Sequence, residues 1–186
     1  MKTIVRTALC ASLLFSGVAM ADSMSNNVMV GGSAMFPSKN IVENAVNSKD
    51  HTTLVAAVKA AGLVDTLQSK GPFTVFAPTN AAFAKLPAGT VDNLLKPENK
   101  AMLTSVLTYH VVAGNYDMKM LEKKIKQGKG HAELKTVNGQ PLWIMSNGPH
   151  NIQLKDGQGN VANISTYDVH QSNGVIDVID TVLMPK

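Results

Sequence analysis

Two carboxylates near the C-terminus, Asp177 and Asp180, sit in the apolar run Asn173-Gly-Val-Ile-Asp-Val-Ile-Asp-Thr-Val-Leu-Met-Pro185. A carboxylate pair is what acid–base cleavage of a glycosidic bond requires. In a strand, however, an offset of three residues places the two groups on opposite faces, so they cannot flank one bond. Val175, Ile179 and Leu183 fall on one face and Ile176, Val178 and Val182 on the other, the pattern of a central strand. A carboxylate there must be held by backbone N–H groups, and Asp180 is expected to serve structure rather than chemistry. The histidines are His51, His110, His131, His150 and His170. No two have His-x-His or His-x-x-x-His spacing, so no metal site is expected. The methionines read as apolar filler, not a copper set. Asp156-Gly-Gln-Gly-Asn160 lacks the helix, lysine and glutamate of a phosphate or calcium loop and reads as a hairpin turn.

Two further groups are candidates for recognition. His110 follows Tyr109 in an apolar stretch; it is either part of a recognition surface or a buried histidine that holds a loop by hydrogen bonds. Lys119, Lys123 and Lys126 recur along a segment whose Met118, Leu121 and Ile125 lie on another side. That is an amphipathic helix with a basic outer stripe. It is either a solvated face or a contact for an anionic surface such as polysaccharide or lipid headgroups.

The elements that position these groups follow from pattern. Lys2 and Arg6, the apolar stretch Ala8 to Val18 and the small residues Ala19-Met20-Ala21 have the form of a secretory signal peptide over 1–21. Cys10, the single cysteine, lies inside that stretch, so the mature domain is expected to rest on packing without disulfides or thiol chemistry. Arg6 is the only arginine, which argues against specific nucleic-acid binding. Residues 22–36, rich in Ser, Asn, Gly and Met, are expected to form a mobile spacer. One domain, 37–186, follows.

In its first half Leu54, Val55, Val58 and Ala61 make a helical stripe opened by Thr52 or Thr53 and stopped by Gly62. Phe73 to Ala77 reads as a buried strand. Glu98 to Leu107 reads as a helix with Met102, Leu103, Val106 and Leu107 inward, and Tyr109 to Val112 as extended. Asp117 can cap a helix that Gly128 ends. Strands then dominate: His131 to Val137 and Gln140 to Ser146 flank the hairpin signal Asn138-Gly139, and Asn151 to Lys155, Val161 to Val169 and Val175 to Met184 follow. Helices first and strands later imply an α+β layout.

Thr74-Val-Phe-Ala-Pro-Thr-Asn-Ala-Ala-Phe83, Leu107-Thr-Tyr-His-Val-Val112 and Asn173-Gly-Val-Ile-Asp-Val-Ile-Asp180 resemble, in order and separation, the signature blocks of fasciclin-type domains. The resemblance runs from about Lys39 to Pro185. It implies a β-wedge or sandwich of about seven strands with helices packed against it, and a role in adhesion or matrix interaction rather than catalysis. In animal members a short Asp-Ile segment before the second block is linked to integrin contact; Asp168-Val169 match it here. The resemblance therefore puts Tyr109, His110, Asp168 and Val169 on a partner-binding surface. Family members commonly carry His where this chain has Asp177, and no role of that histidine carries over.

The expectation is an exported, non-catalytic, monomeric module, secreted or periplasmic, that binds a cell-surface or matrix protein or polysaccharide without cofactor, nucleic acid or membrane span. The alternatives are a periplasmic carrier of a small ligand or metal and, further off, a hydrolase.

Overall fold

The computed structural model describes residues 27–149 and 151–186; the expected signal peptide and the residues just after it lie outside them. The chain opens with a small hairpin, β1 (Met29–Val30) and β2 (Ser33–Ala34). Gly31 and Gly32 make its turn with φ of 59° and 74°, a left-handed conformation that glycine adopts without steric cost. Val30 and Met35 are buried in the core. Among the described residues the stretch from Met29 to Met35 is therefore part of the packed structure, which differs from the expectation of a mobile spacer reaching Phe36.

Short helices follow: α1 (Ile41–Ala45), α2 (Thr52–Ala61) and α3 (Val64–Gln68). Asn40 and Glu43 form a reciprocal capping box at the start of α1. Gly62 ends α2 with φ of 73°, as its sequence position predicts. Next come β3 (Phe73–Pro78), α4 (Asn80–Ala84), α5 (Thr90–Leu94) and α6 (Lys100–Tyr109). Met102 is 58% exposed, so the inner stripe of α6 is Leu103, Val106 and Leu107 without it. The helix runs on through Tyr109, and His110 is its helical C-cap. The expected extended segment is shortened to β4 (Val111–Ala113), where the β-branched residues begin.

The remaining elements are α7 (Met118–Gln127), β5 (His131–Lys135), β6 (Pro141–Ser146), β7 (Ile152–Lys155), β8 (Val161–Gln171) and β9 (Gly174–Ile179). Seven strands form one mixed sheet in the order β4-β3-β9-β8-β7-β6-β5. The two signature segments lie side by side: β3 and β9 are parallel, with Phe76 opposite Asp177. Every other pair in the sheet is antiparallel. The sheet closes on itself where Val112 bridges Thr136 and the Val137 N–H donates to the Val111 carbonyl at 2.7 Å.

Closure divides the apolar interior in two. Inside the near-barrel, Phe76, Leu134, Leu142, Ile144, Leu154 and Ile179 pack with Leu121 and Ile125 of α7, which plugs the opening. Burying one such side chain stabilises the fold by about 2 kcal/mol. On the other face of β3 and β9, Val75, Ala77, Ile176 and Val178 pack against α1, α2 and α6. The alternation of β9 feeds both cores, as the sequence predicts. No described helix is long and apolar enough to cross a membrane.

Candidate functional site

Tyr109 and His110 form a clasp inside the fold. Tyr109 is fully buried; its hydroxyl donates to the Pro141 carbonyl at 2.8 Å and accepts the Gly157 N–H at 3.1 Å. One phenol thereby fastens the end of α6 to the start of β6 and to the turn after β7. His110 is 2% exposed. Its Nδ1 lies 2.8 Å from the Val106 carbonyl, and its Nε2 accepts the Leu183 N–H at 3.0 Å. Those partners define the tautomer, with the proton on Nδ1. Burial holds the imidazole neutral and lowers its pKa to about 4. The next amide, that of Met184, donates to Asp156 Oδ2 at 2.9 Å, and Asp156 also accepts the N–H groups of Gln158 and Asn160. The glycine-rich segment is thus a turn closed by its own aspartate, and it holds the C-terminal strap together with His110.

Neither Tyr109 nor His110 presents a side chain to solvent, so this segment supplies no contact surface of its own. That corrects the resemblance-based placement of these two residues. The physical reason is that a helix end buried under a chain terminus needs donors and acceptors, and these two side chains provide them.

Asp168 and Val169 part company. Val169 is 1% exposed and belongs to the helix-side core, so it too is withdrawn from the expected surface. Asp168 is half-buried with φ of 55°, at an irregularity where the β8–β9 register shifts between Thr166 and Val169. The bend turns its carboxylate onto α7, where Oδ1 accepts the Met118 N–H at 2.7 Å. Asp117, the cap expected from sequence, accepts the Met120 N–H at 2.8 Å. Two carboxylates therefore satisfy the first turn of one helix, a placement the helix dipole favours.

Asp177 lies beneath this bend. It is fully buried, accepts only the Asp168 N–H at 3.0 Å, and leaves Oδ2 without a partner. Burial is the main cause that raises its pKa to about 7, and the charges of Asp168 and Asp117 push the same way. Asp180 behaves as expected of a structural carboxylate. It accepts the N–H and side-chain amide of Asn163 at 2.8 and 3.0 Å, contacts that hold its pKa below the ordinary value.

The basic stripe is where the sequence puts it. Lys119, Lys123 and Lys126 are exposed along α7, and Lys126 lies 3.9 Å from Glu122. Lys124 instead lies over the Tyr116 ring at 5.2 Å, which anchors the helix start. Among the described residues no group of three or more His, Cys, Asp and Glu side chains is arranged to hold a metal ion.

Two hollows remain. Between the helical layer and β3/β9 lies an apolar cavity of about 70 Å³, walled by residues such as Ile41, Leu54, Val58, Val75 and Ile176, with Ser48 and His51 at its edge. His51 hydrogen-bonds Ser48 through Nδ1 at 2.8 Å; burial lowers its pKa, partly offset by the backbone of Ala77 and the charge of Asp50. The second is an open groove of about 480 Å³ on the outer face of β5, β6 and β7. Trp143 stands in it beside His131, Met145 and Lys155. Sequence reasoning passed over this groove. Its signal was a lone tryptophan at an outward position of an alternating strand, between the buried Leu142 and Ile144.

A seven-stranded near-barrel plugged by one helix and backed by a helical layer is the fold that these elements define. The fasciclin domain family model matches residues 49–185, and the chain belongs to that family. It is 45% identical over 172 residues to protein sll1483 of Synechocystis, across 90% of this chain and 87% of that one. It is 36% identical over 161 residues to the cell surface glycolipoprotein MPB83 of Mycobacterium bovis, across 84% of this chain and 64% of the relative. The solved FAS1 domain pair of the insect cell adhesion molecule fasciclin I shares the fold, with a TM-score of 0.68 at 22% identity over 78% of this chain and 51% of that one.

Proposed function

We propose that this protein is an exported, non-catalytic binding module that attaches to a cell-surface or matrix partner through exposed faces of a rigid scaffold. The observation that carries the reading is a division of labour among side chains. Tyr109, His110, Asp156, Asp168 and Asp180 are engaged by backbone groups of the fold, whereas Lys119, Lys123 and Lys126 extend from α7 into solvent. Such a stripe suits an anionic surface, and attraction between exposed charges weakens as salt screens them. Membership of a family whose relatives include a cell surface glycolipoprotein supports the same reading, as does the export signal expected over 1–21.

The test is attachment of the purified chain to the surface of the producing cells and to their extracted matrix, with salt titrated. Attachment that declines with salt, and that the Lys119→Glu/Lys123→Glu/Lys126→Glu variant lacks, is the expected result. Attachment indifferent to both would remove the stripe from the mechanism.

A carrier of a small apolar ligand is the second reading, favoured by the cavity between helices and sheet. At about 70 Å³ it falls well below the roughly 300–1,000 Å³ of ordinary ligand sites. It suits a molecule of only a few heavy atoms.

A further inference from the structure

The outward face of β5–β7 has a composition that the fold does not explain. Trp143 is paired with Glu133 on β5 and Lys155 on β7. Directly paired residues of antiparallel strands share a face, so a carboxylate and an ammonium stand on either side of the indole. His131 and Gln153 flank the neighbouring Met145 in the same way. Lys135 lies one step further along that face of β5. Inward neighbours Leu134, Leu142, Ile144 and Leu154 are at most 2% exposed, so the ledge is fixed to the barrel core and its geometry is preorganised. Trp143 is half-buried among these neighbours, and its remaining exposed surface lines the groove, where a ring face can still gain from burial.

We propose that this face is a carbohydrate-binding ledge whose occupant is a segment of an acidic, uronate-bearing polysaccharide. The inference rests on the reading of the chain as an exported surface-binding module and names the partner class. A pyranose ring offers an apolar C–H face, which packs on an indole, and a rim of hydroxyls, which needs acceptors and donors around that indole. Glu133 accepts from hydroxyls; Lys155 donates to hydroxyls or to a uronate carboxylate. Lys135 and Lys155 outnumber the single carboxylate Glu133 on this face, and that balance is complementary to an anionic chain. Asp156 adds no competing acceptor, because the N–H groups of Gln158, Asn160 and Met184 occupy its oxygens. The groove, about 480 Å³, is of ligand-site size. An extended peptide fits poorly, since β6 and β7 are paired on both sides and offer no free strand edge.

Trp143 is the only tryptophan in the chain, so its fluorescence reports on this ledge alone. The full chain is titrated with an oligogalacturonate and, separately, with a neutral maltooligosaccharide. The expected result is a saturable change in Trp143 emission with the acidic oligomer and affinity lower by about tenfold for the neutral one. Calorimetry on Trp143→Ala and Lys155→Glu should show a loss of about tenfold each at unchanged melting temperature. Trp143→Phe, which keeps a ring, should lose less and serves if the alanine variant folds poorly. Absence of a saturable change, equal affinity for the neutral oligomer, or unaltered binding by both Trp143 variants would overturn the ledge. Attachment to producing cells and matrix is measured in parallel. Attachment that survives in Trp143→Ala with no acidic-sugar binding by wild type overturns the ledge and leaves the module reading standing; failure of wild type to attach to either brings down the module reading itself.

Discussion

His110 Nε2 accepts the backbone N–H of Leu183 at 3.0 Å, across 73 residues of sequence. With Nδ1 on the Val106 carbonyl, one buried neutral imidazole joins the end of α6 to the C-terminal strap. The Tyr-His segment of this chain is therefore a fastening of the scaffold.

Replacing His110 with Ala strands a buried N–H at Leu183 and a buried carbonyl at Val106. Each such group costs about 1–3 kcal/mol, so denaturant unfolding should show a loss of about 3 kcal/mol. Binding per folded molecule should be unchanged. Tyr109→Phe removes only the hydroxyl bonds to Pro141 and Gly157 and should cost about 1–2 kcal/mol by the same measurement.

The pH profile should reveal two opposed buried groups. His110 has its folded pKa lowered from 6.5 to about 4, so the unfolded chain binds the proton first. Stability from this residue is present above pH 6.5 and is lost as pH falls toward about 4. Asp177 has its folded pKa raised from 3.8 to about 7, so the native state holds its proton longer. Stability from this residue is present at acid pH and is lost as pH rises from 3.8 through about 7. The two trends offset, and wild type should be nearly flat across this window. Asp177→Asn keeps an acceptor for the Asp168 N–H and removes the charge. It should be more stable than wild type above about pH 7, by about 2 kcal/mol after the cost of an unpaired amide, and should lose stability on acidification. Equilibrium unfolding across pH checks both arms.

Asp168 combines a left-handed backbone with a cap on α7. Asp168→Ala loses the bond to Met118 and keeps the unfavourable φ, for a cost of about 2 kcal/mol. Asp168→Asn retains an acceptor and tolerates φ of 55°, so it should cost less than half as much. Hydrogen exchange at the Met118 and Lys119 amides should rise in the alanine variant first.

Much of the frame was legible because it depends on local rules. Asp117 and Gly128 bound α7, Gly62 stops α2 and the alternation of Val175 to Ile179 splits between two cores, all as pattern predicts. The misreadings have a common cause in tertiary context. Tyr109 ends α6 and His110 caps it, and the two are held by contacts with Pro141, Gly157 and Leu183, none of them near in sequence. The β1–β2 hairpin looked like a polar spacer because only Val30 and Met35 anchor it in the core. The bend at Asp168 exists because its carboxylate finds α7 some 50 residues earlier, which periodicity alone does not register.

Reversing the stripe with Lys119→Glu/Lys123→Glu/Lys126→Glu changes exposed positions only, and the melting temperature should move little. The deciding measurement is the equilibrium attachment of this variant and of Tyr109→Phe to the producing cell surface, each compared with wild type. Affinity lower by about tenfold in the lysine variant and unaltered in Tyr109→Phe is the predicted result. Full attachment by the lysine variant together with lost attachment by a stably folded Tyr109→Phe would contradict it.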